Sequence, residues 1–84
     1  MTETTLDSTG LRRLQWRCRR GMLENDLVLA RFLEARGERL TEAEALQLSR
    51  LLDLADDELW GLLSGRMEPA DAALVPLVTA LRAA

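Results

Sequence analysis

The sequence predicts an all-α protein, a compact bundle of about five short helices. Apolar residues recur at spacings of three and four residues instead of alternating, which is the periodicity of helices. Helix-start and helix-stop residues divide the 84-residue chain into five segments. A chain of this length forms one domain. We expect residues 1–10 to be a flexible N-terminal segment and residues 11–84 to be the single helical-bundle domain.

The first helix is predicted over residues 11–20, because capping residue types precede it and Gly21 follows it. Its arginines would point outward. We expect Cys18 to be a structural residue, buried as a small apolar side chain. The N-cap candidates are Asp7, Ser8 and Thr9, and the inward stripe is Leu11, Leu14 and Cys18, with Trp16 at its edge.

The second and third helices carry clear end signals. The second begins near Leu23 and ends at Gly37, and it is apolar on most sides, so we expect it to be central. Thr41 and Glu44 form a capping box that opens the third helix. Leu27, Ala30 and Leu33 lie along the second helix, and Leu46, Leu48, Leu51 and Leu52 along the third.

The fourth helix is predicted to start at Asp56 or Asp57 and to end near Gly65, and Asp71 caps the fifth. Pro76 would remove a hydrogen bond inside the fifth helix, so we expect a kink or a one-turn helix before it. Trp60 is expected to be mostly buried, because a small bundle needs large apolar side chains. The other apolar residues are Leu59, Leu62 and Leu63 in the fourth helix and Leu74, Leu77, Val78 and Leu81 in the fifth.

Composition argues against an enzyme. The chain has no histidine, lysine or tyrosine, so the commonest general base, the commonest metal ligand and the Schiff-base residue are missing. A domain of this size also buries only about 60 to 65% of its unfolded surface, which leaves little room for a deep catalytic cavity. The single Cys18 cannot form an internal disulfide.

The polar start of the chain and its short apolar runs predict a cytoplasmic protein without membrane insertion. The net charge is −3, yet five of the eleven arginines lie between residues 12 and 20. Charge is therefore polarised along the chain. An exposed patch on such a small bundle also predicts weak self-association when no partner is present.

Residues 18–26, CRRGMLEND, place a glycine between two arginines and two carboxylates. Glycine costs a helix interior about 1 kcal/mol relative to alanine, so Gly21 marks either a helix end or a surface that another molecule approaches closely. In the first interpretation, Glu24 and Asp26 are ordinary capping carboxylates at the start of the second helix. That interpretation gives no task to the arginine-rich first helix.

The matching positions of a wider pattern are Trp16, Cys18, Arg19, Arg20, Gly21, Met22, Glu24 and Asp26. This pattern resembles the signature of the SdhE-type succinate dehydrogenase assembly factors, which carry an RGxxE motif. Residues 51–63, LLDLADDELWGLL, and residues 67–82, MEPADAALVPLVTALR, also resemble that family in order and spacing. Leu23 and Asn25 fill variable positions of the motif. The segment between the second and third helices lacks an aromatic residue expected in many relatives.

The resemblance implies a five-helix bundle that binds the flavoprotein subunit of succinate dehydrogenase or fumarate reductase and promotes covalent attachment of FAD. It implies no stably bound cofactor, since the acceptor histidine would belong to the partner. Arg20 is expected to form a bidentate bond to the partner, and Glu24 to accept from the partner or to hold Arg20. The implied partner-binding residues are Arg19, Arg20, Gly21, Met22, Glu24 and Asp26.

The order of residue types in residues 41–69 also resembles that of a helix-turn-helix DNA-binding unit. Another small interaction module is a further alternative. The predicted recognition helix would open with Asp56, Asp57 and Glu58. Carboxylates there would face phosphates and base edges that require cationic or amide side chains. Electrostatics therefore favours a protein partner, and no nucleic acid is expected.

Overall fold

Five α-helices, with two single-turn 3₁₀ helices between them, make up residues 4–84, the part of the chain that this computed structural model describes. The predicted all-α class is confirmed. The α-helices are α1 (Ser8–Arg17), α2 (Leu23–Arg36), α3 (Glu42–Leu52), α4 (Asp56–Leu63) and α5 (Val75–Ala83), and the 3₁₀ turns are Gly37–Arg39 and Ala72–Leu74.

The core forms where α2 packs against α4 and α5, while α1 lies on α3. Leucines fill most of it, and Phe32 of α2 is the largest fully buried side chain. Leu29, Leu48, Leu59 and Leu81, one from each of α2 to α5, are completely inaccessible to solvent. Burial of an apolar side chain of this size stabilises the fold by about 1.5 to 3 kcal/mol, so these residues hold the helices together.

The predicted bounds of the first helix are wrong at both ends. Helix α1 starts at Ser8 because the Asp7 carboxylate accepts a hydrogen bond of 2.7 Å from the N–H of Gly10. It ends at Arg17, and Cys18 is its C-cap. Gly21 therefore does not close α1 but lies in the loop after it. The predicted burial of Leu14 and Cys18 is confirmed.

The N-terminal segment before α1 pairs with the turn that precedes α3. Thr5 forms an antiparallel bridge with Thr41, and the N–H of Leu6 donates to the carbonyl of Leu40 at 2.8 Å. Residues 1–3 of the predicted N-terminal segment lie outside the described residues. The flexibility of residues 1–10 stays a prediction, but residues 8–10 belong to α1.

The predicted bounds of α2 and the predicted start of α3 are confirmed. Gly37 ends α2 with a φ of +51°, and the Thr41–Glu44 capping box opens α3. The burial pattern differs from the expected one. Leu27 and Leu46 are exposed, because other residues form the inward faces of their helices. The buried residues are Asn25, Leu29, Phe32 and Leu33 in α2 and Ala45, Leu48, Leu51 and Leu52 in α3.

The last two helices agree with their start signals. Helix α4 begins at Asp56, and a 3₁₀ turn capped by Asp71 precedes α5, where Pro76 lies in the first turn. This is the one-turn helix expected before Pro76, which as an early helical residue costs no hydrogen bond. Trp60 is half-buried against the core, whereas Trp16 is 73% exposed.

Among residues 4–84, no helix is long and apolar enough to cross a bilayer. No cluster of three or more potential metal-ligating side chains occurs in the same residues.

Cys18 makes stability at alkaline pH an informative test of this packing. Burial raises the pKa of the Cys18 thiol to about 11 from its ordinary value of 9.0, although Arg17 and Arg20 oppose the shift. Without histidine, lysine or tyrosine, Cys18 is the one side chain of the chain expected to lose a proton between about pH 7 and pH 11.

We predict that the protein loses stability as the pH rises above about 9. There the unfolded chain releases the thiol proton and the folded chain keeps it, so the free energy of unfolding falls by up to about 1.4 kcal/mol per pH unit. Urea denaturation at a series of pH values measures this slope. Cys18→Ala should remove it, and a wild-type protein with constant stability over this range would contradict the burial of Cys18.

Candidate functional site

The loop between α1 and α2, residues 18–22, is held by a carboxylate from the first turn of α2. Asp26 Oδ1 accepts from the backbone N–H of Arg20 at 2.9 Å, and Asp26 Oδ2 accepts from the N–H of Gly21 at 3.1 Å. Two successive N–H groups thus converge on one anion, an arrangement that backbone nests provide. We call residues 18–22 the motif loop.

Gly21 lies at the exposed tip of the motif loop. Its φ is +95°, a conformation in which side-chain-bearing residues are strained. A Cβ atom added there would meet no atom within 4 Å. The glycine is therefore required by the backbone conformation and not by crowding within the protein, and its backbone is open to an approaching molecule.

Arg20 turns away from solvent and contacts the connection between α3 and α4. Its Nη1 donates to the carbonyl of Leu52, its Nη2 to the carbonyl of Leu54, and its Nε to the carboxylate of Asp56. The side chain is only 17% exposed. Arg20 therefore satisfies carbonyls at the C-terminal end of α3 and joins the motif loop to the start of α4. A bidentate bond from Arg20 to a partner would require these three bonds to break.

Asn25 is a part of this site that was not singled out from the sequence. It is fully buried, and its Nδ2 donates to the carbonyl of Asp56 at 3.0 Å and contacts the Met22 sulfur at 3.4 Å. A detectable signal was present, since Asn25 is a polar residue four positions before Leu29, on the apolar stripe of α2. Arg17 adds an exposed ion pair to Asp53 of the same α3–α4 connection, at 2.9 Å.

Glu24 is exposed, and among residues 4–84 its carboxylate makes no hydrogen bond or ion pair. It does not hold Arg20, as the sequence analysis allowed, because Asp56 occupies that position. Arg19 is also exposed, and Met22 is half-buried as the N-cap residue of α2. The structure thus separates the motif into inward residues, Arg20 and Asp26, and outward residues, Arg19, Gly21 and Glu24.

Both sequence interpretations of the motif describe part of this geometry. Glu24 and Asp26 lie in the first turn of α2, where carboxylates favour the positive end of the helix dipole. Asp26 also organises the loop before the helix. Beyond the helix dipole, local capping assigns no bond to the exposed carboxylate of Glu24, which makes no hydrogen bond or ion pair among residues 4–84.

The helix-turn-helix alternative finds no electrostatic support in the structure. Helix α4 begins with Asp56, Asp57 and Glu58, and its last turn carries no basic residue. A recognition helix presents its N-terminal residues to the DNA, and here that end is acidic. The negative charge predicted from the sequence therefore lies at the end of α4 that would have to face the DNA.

The fold and the motif loop define a small helical protein that presents a fixed glycine loop on its surface. A family model described as the flavinator of succinate dehydrogenase matches residues 12–84. The chain belongs to this family.

Similar proteins are found in several bacteria under the name FAD assembly factor SdhE. The protein of Methylococcus capsulatus is 45% identical over 71 residues, which cover 84% of this chain and 86% of that protein. The protein of Xylella fastidiosa strain 9a5c is 40% identical, over 96% of this chain and 84% of its own. The protein of Legionella pneumophila strain Lens is 40% identical, over 92% and 96% respectively.

Arg82 provides an internal comparison for Arg20. Arg82 lies in α5 and reaches the end of α4. Its Nε donates to the carbonyl of Leu62 and its Nη2 to the carbonyl of Met67, both at 2.8 Å. Each arginine therefore binds one backbone carbonyl in the last turn of a helix and one carbonyl beyond the end of that helix. They differ in position, because only Arg20 belongs to the motif loop.

We predict that Arg20→Lys and Arg82→Lys both destabilise the fold by about 1 to 3 kcal/mol, because lysine cannot reproduce the fork of donors that binds several acceptors. Chemical denaturation monitored by circular dichroism measures the loss. An Arg20→Lys protein as stable as wild type would contradict the structural role of the guanidinium.

Proposed function

We propose that this protein binds the flavoprotein subunit of succinate dehydrogenase or fumarate reductase and promotes covalent attachment of FAD to it. The family match over residues 12–84, together with the exposed motif loop, supports the proposal. Similar proteins of this length carry the name FAD assembly factor. The cytoplasmic location expected from the sequence stays part of the proposal.

Within the proposed docking surface, outward and inward residues have different tasks. Gly21 and Glu24 contact the partner, since both are exposed and the Glu24 carboxylate has no partner among residues 4–84. Arg19 and the exposed part of Met22 complete the contact. Arg20 and Asp26 position the loop through bonds within the protein. Arg20 therefore acts on the partner indirectly, through the conformation that it gives to Gly21.

The proposed role is binding and not catalysis. The chain contains no histidine, so the flavin acceptor expected for this family belongs to the partner. Docking would hold the partner in an arrangement where FAD and its acceptor are aligned, and such alignment can lower a barrier by several kcal/mol without a catalytic group from this protein. No stably bound cofactor is required for this role.

We predict that Gly21→Arg prevents flavinylation of the partner in a strain that lacks the wild-type gene. The added arginine side chain would occupy the open space through which a partner approaches the Gly21 backbone, so we expect affinity to fall by about 30-fold or more. In-gel flavin fluorescence after denaturation measures covalent FAD. The positive φ of Gly21 also makes the substitution cost about 1 to 2 kcal/mol of folding stability.

Gly65→Arg is the matched control for the backbone strain that Gly21→Arg introduces. Gly65 has a φ of +87° and open space around it, but it follows α4 and not α1. The control should lose similar stability and keep flavinylation. Glu24→Ala, which adds no backbone strain, should lose flavinylation and at most about 1 kcal/mol of stability through the helix dipole. Full flavinylation by folded Gly21→Arg and Glu24→Ala proteins would contradict the proposal.

A further inference from the structure

The outer face of α1 carries a tryptophan between two arginines. Trp16 is 73% exposed, the largest exposed fraction among the large apolar residues between 4 and 84. Arg12 lies four residues before it on the same side of α1. Arg19 follows it in the motif loop, where the N–H of Arg19 donates to the carbonyl of Trp16 at 3.1 Å. The side of α1 that carries Trp16 is opposite the buried Leu14. We call Arg12, Trp16 and Arg19 the α1 stripe.

The arginines of the α1 stripe are available to a partner. Both residues are exposed, and within residues 4–84 neither guanidinium forms a hydrogen bond or an ion pair. By contrast, Arg17 between them is paired with Asp53. Tryptophan and arginine are the residue types most enriched at energetically dominant interface positions. Their combination on a solvent-facing helix side is not required by the core.

A groove of about 590 Å³ lies between α1 and α2 beside the motif loop, and Arg19 is the residue of the α1 stripe that lines it. Gln15 and Arg19 line it on one side, and Asp26 and Leu27 line it on the other. Asp26 is the residue that holds the motif loop. Arg19 belongs to both the α1 stripe and the motif loop, so it joins the stripe to the groove. Leu27 adds apolar area to the groove, since it lines the groove and is 45% exposed.

We propose that the α1 stripe and this groove form a second docking area for the same flavoprotein subunit, and that they take a segment carrying carboxylates beside an apolar side chain. The carboxylates would bind Arg12 and Arg19, and the apolar group would pack on Trp16 and Leu27. This inference rests on the proposed function. It gives a role to Arg12 and Arg19, two of the five arginines that lie between residues 12 and 20.

Charge distinguishes this occupant from a phosphate-bearing surface. Glu34 lines the groove together with Asp26, and Glu24 lies in the first turn of the helix that forms one side of the groove. These carboxylates would repel a membrane of anionic lipids or a nucleic acid backbone. A protein segment can place its carboxylates at the two arginines alone.

The first test compares Trp16→Ala with Leu46→Ala, a matched control with a 67% exposed apolar residue on α3. Binding to the isolated flavoprotein subunit carrying noncovalent FAD is measured by biolayer interferometry. We expect Trp16→Ala to weaken binding by about 30-fold or more and Leu46→Ala by less than about 3-fold. Circular dichroism should show both variants folded, because neither side chain belongs to the core.

The second test reverses charge with the double variant Arg12→Glu and Arg19→Glu, using Arg66→Glu as the exposed control. The double variant should bind at least about 30-fold more weakly, and the salt dependence of binding should become shallower. The control should leave both unchanged. This pair of variants keeps the inference testable if Trp16→Ala fails to fold.

The outcomes separate this inference from the proposed function. Loss of binding in Gly21→Arg together with wild-type affinity in Trp16→Ala and in the double variant would overturn the α1 stripe alone. A wild-type protein that does not bind the flavoprotein subunit would overturn the proposed function and the inference that rests on it. Binding of the wild type to phosphatidylglycerol vesicles that is lost in Trp16→Ala, with unchanged flavoprotein binding, would also overturn the stripe's assignment.

Discussion

The guanidinium of Arg20 is the interaction on which the geometry of the candidate site depends. It binds the carbonyls of Leu52 and Leu54 and the carboxylate of Asp56. One side chain therefore links the loop between α1 and α2 to the end of α3 and the first residue of α4. Bonds from a charged donor to partly buried acceptors are stronger than neutral ones. The side chain also has to stay in place once its acceptors are desolvated, because breaking the bonds would leave carbonyls without partners.

The motif therefore combines two functions that its sequence does not distinguish. Arg20 and Asp26 form bonds within the protein, and they fix a backbone in which Gly21 adopts a φ of +95°. Glu24 remains exposed beside that backbone. A loop ordered before binding loses less conformational entropy when it binds, which favours affinity. A short motif can thus contain residues whose bonds are made entirely within the protein.

The sequence predicted the helices well because their end signals are local. The Thr41–Glu44 box, Gly37 and the Asp71 cap before Pro76 act through neighbouring backbone groups, and all three appear as expected. The end of α1 was misplaced because Gly21 is also a loop glycine, and the helix stops where Asp26 draws the next N–H groups away. That contact is specified by the fold of the loop and not by a capping pattern.

The site residues were identified by resemblance, but their orientations could not be predicted from one sequence. Arginine on a basic helix suggests an outward charge, whereas Arg20 turns inward because α3 ends within reach of it. Asn25 was assigned to a variable position of the motif, although it is fully buried and donates to the carbonyl of Asp56. Both contacts join residues about thirty positions apart, which explains why local patterns missed them.

Amide hydrogen exchange, followed by mass spectrometry, tests most directly whether a preformed motif loop docks on the flavoprotein. In the free protein the amides of Arg20 and Gly21 should exchange slowly, because both donate to Asp26. Addition of the flavoprotein subunit should then slow exchange further in residues 19–27 and leave residues 64–71 unchanged. Rapid exchange of the loop in the free protein, or protection confined to residues 64–71, would contradict a preformed docking loop between α1 and α2.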